Sequence, residues 1–383
     1  MEIRIRDNVN IKEIALIENG IMQEYYQEKE NSNRCEGNIY IGIVKDVIKG
    51  MQAAFVDIGT DKNGFIHLKD ILPKIDQTKE KVDENIQINE IIQKGQKLLV
   101  QLKKDSTENK GARISTHINL TSKYIVLMPN TDIITVSKKI EDNKERQRLI
   151  ELVKRNLTPG NGAVIRTSAL GKTTELIEDI KEIESKWKGI MGTFIDPVDE
   201  NPVLIYSENS IVEKMLIDLP KVEKIFCNNE KELEKYQGYK VELIREHEQN
   251  IFLAHDIQKQ IDKLEKRKIW LKCGGFIAID KTEALIAIDV NTGKFTGKNS
   301  LAETIFRVNK EATIEIARQI RLRDLGGIII IDYIDMLKKE DKIEIEKILK
   351  KELNKDRSKT QVEGFTKLDL MELTRKHICS PIT

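Results

Sequence analysis

Ala284-Leu285-Ile286-Ala287-Ile288-Asp289-Val290-Asn291-Thr292-Gly293 and Gly326-Gly327-Ile328-Ile329-Ile330-Ile331-Asp332-Tyr333 are two apolar runs of strand length, each ending on an aspartate. Carboxylates at the ends of neighbouring buried strands repel one another and rise in pKa unless a cation lies between them. The pair therefore reads as a hard-metal site. Residues two apart on a strand face the same way, so Asp289 and Asn291 project together, and Asn291 becomes a neutral hydrogen-bonding neighbour of a charged ligand. Mg²⁺ takes one or two protein carboxylates, keeps several waters and draws its remaining ligands from substrate phosphate, so two aspartates suffice for phosphodiester cleavage. The plainer alternative is that Asp289 and Asn291 open the turn at Thr292-Gly293 and that Asp332 is an ordinary strand-end residue. Recurrence at two strand ends favours the metal.

Between the runs, Ala302, Ile305, Val308, Ala312, Ile316 and Ile320 recur at helical spacing and predict an amphipathic helix from about residue 299 to 324, stopped by Gly326-Gly327. Arg318, Arg321 and Arg323 crowd its last turns. They complement the helix dipole, and they would also stand where a polyanion approaching the metal could meet them.

At these residues the chain resembles the catalytic region of the ribonuclease E/G family: IAIDVNTGKFTG, then ARQIRLRDLGGIIIIDYIDM, then LMELTRKH. The similarity continues upstream over nearly the whole chain. It implies that Asp289 and Asp332 hold a catalytic Mg²⁺ and that Asn291 orients the scissile phosphate. The implied activity is hydrolytic endoribonuclease cleavage of single-stranded RNA, leaving a 5′-phosphate and a 3′-hydroxyl, in rRNA and tRNA processing and mRNA decay. Metal-activated water suits this chemistry, because no nucleophilic side chain is then needed. A non-catalytic S1-type RNA-binding protein is the alternative, and the intact aspartates and Asn291 speak against it.

The implied fold is multidomain, of mixed α/β and α+β modules. Residues 1–35 and 203–268 would form a split RNase-H-like scaffold, 36–119 an S1 (OB-fold) barrel, 120–202 a 5′-sensor domain and 269–383 a DNase-I-like catalytic domain. A length of 383 residues allows two to four compact units on the usual domain sizes. Lys and Arg number 64 against 63 Asp and Glu, so RNA affinity must come from local basic surface rather than net charge. No apolar run has the length of a membrane span and no signal peptide is evident, so a cytoplasmic location is expected.

Runs at 38–44, 53–58, 64–67 and 97–102 have the short, glycine-punctuated character of a small antiparallel barrel. By pattern alone, Phe55 and Phe65 are core residues. GNIYIGIVKDVIKGMQAAFVDIGTDKNGFIHLKDI resembles the family's S1 domain, and that resemblance implies that Phe55, Phe65 and Lys110 contact RNA, the rings serving as stacking platforms. The polar stretch 75–95 reads as an insertion.

Gly171-Lys172-Thr173 invites a P-loop reading, but the first glycine of that motif would fall on Arg166. Arg166 and Thr167, closing an apolar strand, suit a terminal phosphate, which a guanidinium binds bidentately. A surface ion pair beside a capping threonine is the alternative. The resemblance makes this the family's pocket for a 5′-monophosphate, with Val126 as a backbone contact, Lys367 where relatives commonly carry Arg, and Ser122 in place of a glycine. Lys offers a point charge instead of a planar fork.

Residues 259–268 read as a basic helix with a solvated face. Cys35, Cys227, Cys273 and Cys379 are far apart and form no Cys-x-x-Cys pair, so disulfides and a self-contained zinc site are not expected. The family's longer members carry a zinc-linking motif and a small C-terminal domain after the catalytic region. Their absence here leaves a homodimer or higher homo-oligomer open, with Cys379 as one candidate ligand. The five histidines do not cluster, which argues against histidine general-base chemistry.

Overall fold

The computed structural model describes residues 1–29, 36–71, 86–106, 111–195, 201–219, 221–293 and 301–378. Lys110, Cys35 and Cys379 lie outside them. The chain opens with strands β1 (Glu2–Asp7), β2 (Ile11–Glu18) and β3 (Ile21–Lys29). Next come β4 (Ile39–Ile48), β5 (Ala53–Asp57), β6 (Gly64–His67), helix α1 (Ile88–Ile91), β7 (Lys97–Lys104) and β8 (Arg113–Ser115). A third stretch holds β9 (Leu120–Thr121), β10 (Ile125–Pro129), β11 (Ile134–Val136), α2 (Asn143–Asn156), β12 (Asn161–Ile165) and α3 (Thr174–Ile195), followed by β13 (Val203–Tyr206) and α4 (Ile211–Asp218). Then follow β14 (Lys224–Cys227), α5 (Glu230–Glu234), β15 (Glu242–Arg245), α6 (Glu248–Ile251) and α7 (Ile257–Ile261). The last stretch is β16 (Lys268–Trp270), β17 (Phe276–Lys281), β18 (Ile286–Asn291), α8 (Leu301–Leu322), β19 (Gly327–Asp332), α9 (Lys339–Leu353), β20 (Thr360–Phe365) and β21 (Leu370–Arg375).

The elements form two compact units, one of Met1–Ser32 with Leu219–Thr383 and the other of Asn33–Asp218. In the second unit, β4, β5, β6, β8 and β7 close into a barrel through a β4–β7 pairing. Alternation along these strands turns Val44, Ala54, Val56, Ile66, Val100 and Ile114 into its core. Ile88 and Ile92 join that core, so residues 86–95 are packed structure rather than the insertion expected over 75–95. The same unit holds the sheet β11-β12-β10-β9, covered by α2 and α3 through Leu149, Val153, Leu176, Ile180 and Ile183. β13 pairs antiparallel with β4, and the unit runs on through α4 to Asp218. Residues 203–218, expected in the scaffold, thus fall in the same compact unit as the barrel, because backbone pairing ties β13 to β4.

The first unit contains two sheets. The order β15-β14-β1-β2-β3 has β1 parallel to β14 and antiparallel to β2. The other, β16-β17-β18-β19-β21-β20, is mixed, with only β18 and β19 parallel. The parallel step needs a crossover, and α8 supplies it. Its apolar stripe, Val308, Ala312, Ile316, Ala317 and Ile320, is buried on the sheet with Ile288, Val290, Ile329 and Ile331. Each buried aliphatic side chain of this kind contributes about 1.5–3 kcal/mol.

The helix predicted over 299–324 spans Leu301–Leu322, and its stop is not the glycine pair. Asp324 takes the left-handed conformation, φ 46°, while Leu325 N–H donates to the Ile320 carbonyl at 2.9 Å, closing the last turn ahead of Gly326. The arginines there serve the protein itself. Arg318 binds Glu315 and the Met22 carbonyl, Arg321 is buried against the Glu352 carbonyl, and Arg323 binds Gln319 and the Lys266 carbonyl. Burial lowers the pKa of Arg321 and Arg323. This supports dipole complementation and structural pairing over a polyanion-facing role. The helix expected at 259–268 is also revised: α7 ends at Ile261, turns follow, and Lys268 opens β16.

Arg375, at the end of β21, is sealed from solvent and binds Asp356 at 2.7 Å and Asp324 at 2.6 Å. Those carboxylates keep the guanidinium charged despite its desolvation. Removing one partner from a buried pair leaves an uncompensated charge. Asp356→Ala is expected to cost about 3–5 kcal/mol in urea unfolding.

Candidate active site

Register places the two sequence-selected aspartates side by side. In the parallel β18–β19 pair, Asp289 is the Cα partner of Asp332, at the carboxyl end of both strands. Ile286, Ile288 and Val290 enter the core beneath α8, so Ala287, Asp289 and Asn291 stand on the opposite, open face. The same alternation buries Ile329 and Ile331 and exposes Asp332. Asn291 Nδ2 donates to Asp289 Oδ2 at 2.5 Å, which orients one carboxylate relative to the next functional side chain.

The electrostatics are those of a site short of positive charge. Partial burial pushes the Asp332 carboxyl up, and repulsion from Asp289 and then Asp335 adds to it. Asp335 had not been singled out from sequence, although the spacing Asp332-Tyr333-Ile334-Asp335 carried the signal. Arg267 is a second residue that sequence reading passed over, because it fell inside the supposed basic helix. It binds Asp280 bidentately at 2.5 and 2.7 Å, and its raised pKa owes most to Asp280 with a contribution from Asp289.

Rigid support comes from the loop after β19. Asn309, fully buried on α8, donates from Nδ2 to the Ile334 carbonyl at 2.8 Å and accepts from Ile334 N–H at 3.2 Å. Tyr333, between Asp332 and that clamp, is buried with its hydroxyl 2.9 Å from Thr313 Oγ1. These contacts fix the chain immediately after Asp332. Among the described residues, no group of three or more His, Cys, Asp and Glu could by itself hold a metal. Asp289 and Asp332 would offer two carboxylates on an open face, a donor set that fits a hard cation that keeps its waters and meets substrate phosphate.

The expected RNA-contacting rings of the barrel lie on neighbouring strands. Phe55 and Phe65 are directly paired across β5–β6, with centroids 5.9 Å apart at 65°. Both are half-buried and outside the barrel core, so the core assignment that pattern alone suggested is replaced by a surface aromatic pair. Arg113 is the register partner of Phe65 and binds Asp70 at 2.9 Å; this cation was missed because it follows a polar loop.

At the strand end of the 5′-sensor candidate, Val126 pairs with Val164 and Arg166 N–H donates to the Tyr124 carbonyl. Arg166 Nη1 donates to the Ser122 carbonyl at 2.6 Å, and Nη2 binds Asp218. Thr167 is exposed, its hydroxyl 3.0 Å from Ser137 Oγ. Arg166 thus makes the ion pair weighed from sequence, and its guanidinium carries further donors. Lys367 lies in the other unit, exposed in the turn between β20 and β21. The P-loop alternative has no counterpart: Lys172 pairs with Glu175 at 2.7 Å, Arg148 donates to Thr173, and the segment opens α3.

Comparison with known proteins identifies the family. Residues 119–378 match the model of the Ribonuclease E/G family, and residues 35–117 match the S1 RNA binding domain. Ribonuclease G of Salmonella typhimurium is 39% identical over 380 residues, covering 95% of this chain and 77% of that protein. Ribonuclease G of Escherichia coli K12 is 39% identical over 378 residues, with the same coverage. Ribonuclease E of a Nostoc species is 34% identical over 357 residues, covering 89% of this chain and 51% of that protein. The class so defined is an RNA-cutting hydrolase with an S1 RNA-binding module. The chain belongs to the ribonuclease E/G family. Among the described residues, no helix is long and apolar enough to cross a membrane.

The raised Asp332 pKa carries a sign. The folded state holds its proton more tightly than the unfolded state, so metal-free stability from this group falls as pH rises from the usual carboxylate range through the folded value. Asp332→Asn is therefore expected to raise the thermal midpoint in chelator at neutral pH. Added Mg²⁺ should stabilise the wild type and leave the variant unmoved in the same melts.

Proposed function

We propose that this protein is a Mg²⁺-dependent endoribonuclease that cleaves single-stranded RNA at Asp289 and Asp332, leaving 5′-phosphate and 3′-hydroxyl ends. The observation that carries the reading is the matched register of the two aspartates at adjacent strand ends on an open sheet face. Asp289 and Asp332 would hold the cation, which when bound neutralises charge on the reacting phosphate and makes water acidic enough to attack near neutral pH. Asn291 spends one amide hydrogen on Asp289 and keeps the other as a donor for the scissile phosphate. Phe55, Phe65 and Lys110 bind unpaired RNA, the rings by stacking, and the paired half-buried phenylalanines support this.

In the same reading, Arg166, Thr167 and Val126 favour RNA with a 5′-monophosphate, and Lys367 keeps its assignment to 5′-phosphate binding. The sheet β15-β14-β1-β2-β3 is read as an RNase-H-like scaffold, supported by its strand order, and the sheet carrying the aspartates as a DNase-I-like catalytic domain. A cytoplasmic homo-oligomer acting in rRNA and tRNA processing and mRNA decay completes the assignment.

Asp289→Asn is expected to slow cleavage of a short A/U-rich RNA in Mg²⁺ by at least about a hundredfold, the scale of losing one preorganised charge-stabilising group. RNA affinity should stay within a few-fold in the same preparation. Mass spectrometry of wild-type products should give 3′-hydroxyl ends; a 2′,3′-cyclic phosphate would exclude attack by water. Arg166→Ala is expected to remove the rate advantage of 5′-monophosphate over 5′-hydroxyl RNA. An equal loss on both substrates assigns Arg166 to structure alone.

A further inference from the structure

We propose that Trp270 on edge strand β16 is a stacking platform for an unpaired nucleobase of the RNA held at Asp289 and Asp332, with Lys268 beside it for the adjoining phosphate; this rests on that pair being the cleavage site. Register fixes the arrangement. Trp270 is the Cα partner of Phe276, and Phe276 that of Asn291, so the three form one row across β16, β17 and β18. The next row runs Lys268, Ala278, Asp289, Asp332. Adjacent strands lie about 4.8 Å apart, so Trp270 stands roughly 10 Å from Asn291 along the sheet.

An indole at 61% exposure leaves a large apolar face in water, which a folded chain ordinarily covers. The ring is nevertheless held in place. It packs edge-on against Phe276, with centroids 5.3 Å apart at 61°, and its Cζ3 lies 3.5 Å from where a Cβ on Gly293 would stand. Gly293 sits in the turn that follows Asn291, with φ +62°. A platform on one side of the catalytic turn is thus built into it. Lys268 Nζ lies 3.9 Å from the Phe276 centroid and 5.6 Å from that of Trp270, so the cation sits closest to Phe276 and at the side of the indole. Ala278 lies in register between Lys268 and Asp289 and is buried. A nucleobase supplies the missing face for any sequence, and its phosphate supplies the charge that Lys268 and Arg267 attract.

The chain has two tryptophans, and Trp187 is buried at 8% exposure, so Trp187→Phe isolates Trp270 emission. Saturating unstructured RNA in chelator, where no turnover occurs, should quench that emission. Trp270→Ala should weaken binding about tenfold and raise KM to match, with most of kcat retained, and Trp270→Tyr should restore both. Substrates with one abasic nucleotide should show a penalty at a single position near the cleaved bond in wild type, and no added penalty there in Trp270→Ala. Unquenched emission and unchanged affinity, with Asp289→Asn still inactive, would overturn the platform and leave the nuclease reading standing. Full cleavage by Asp289→Asn would overturn both. A change of sedimentation in Trp270→Ala with RNA affinity unchanged assigns the ring to self-contact and also overturns it.

Discussion

Parallel pairing of β18 with β19 sets two like charges at matched positions, and most of the first unit can be understood as what that pairing demands. Parallel neighbours cannot be joined by a tight turn, so α8 must cross over between them and cover one face. Once that face is buried, strand alternation leaves the aspartates on the other. Partial burial raises the pKa of Asp332 first, and the repulsion from Asp289 that adds to it is a consequence of backbone register, which a proton or a bound cation relieves.

The surroundings show how such a charged end is kept rigid without being filled. Asn309 clamps the chain beyond Tyr333 with a reciprocal pair of hydrogen bonds, and Asn291 holds Asp289 from the side. Charge balance is supplied at a distance by Arg267 through Asp280. Deeper in the unit, Arg375 is held between Asp356 and Asp324. The site stays open on its working face because these supports come from behind and from the edges.

The same arrangement of paired aromatic rings and a nearby cation occurs on two sheets. In the barrel, Phe55 and Phe65 face each other across neighbouring strands with a cation, Arg113, in register beside them. On the catalytic sheet, Trp270 and Phe276 repeat the edge-to-face pair with Lys268 at hand. An aromatic pair keeps its rings fixed before any base arrives, so less entropy is lost on binding.

Asp289 and Asp332 were legible as strand-end carboxylates because a continuous apolar run that ends on a charge announces both its burial and its exception. The crossover helix was legible for the same reason, its apolar stripe being long and regular. Phe55 and Phe65 were legible only as strand residues, since a pattern does not say which side of a barrel is wet. Asp335 was within reach of the spacing after Asp332, whereas Arg113 and the row from Trp270 to Asn291 were not readable: each depends on which strands become neighbours and in what register, and Lys268 was even placed in a helix. Sequence by itself determined the elements and the identity of the charges, because propensity and alternation are local. Tertiary structure alone decided that Asp289 meets Asp332, because long-range backbone pairing chooses the partner of every residue on a strand.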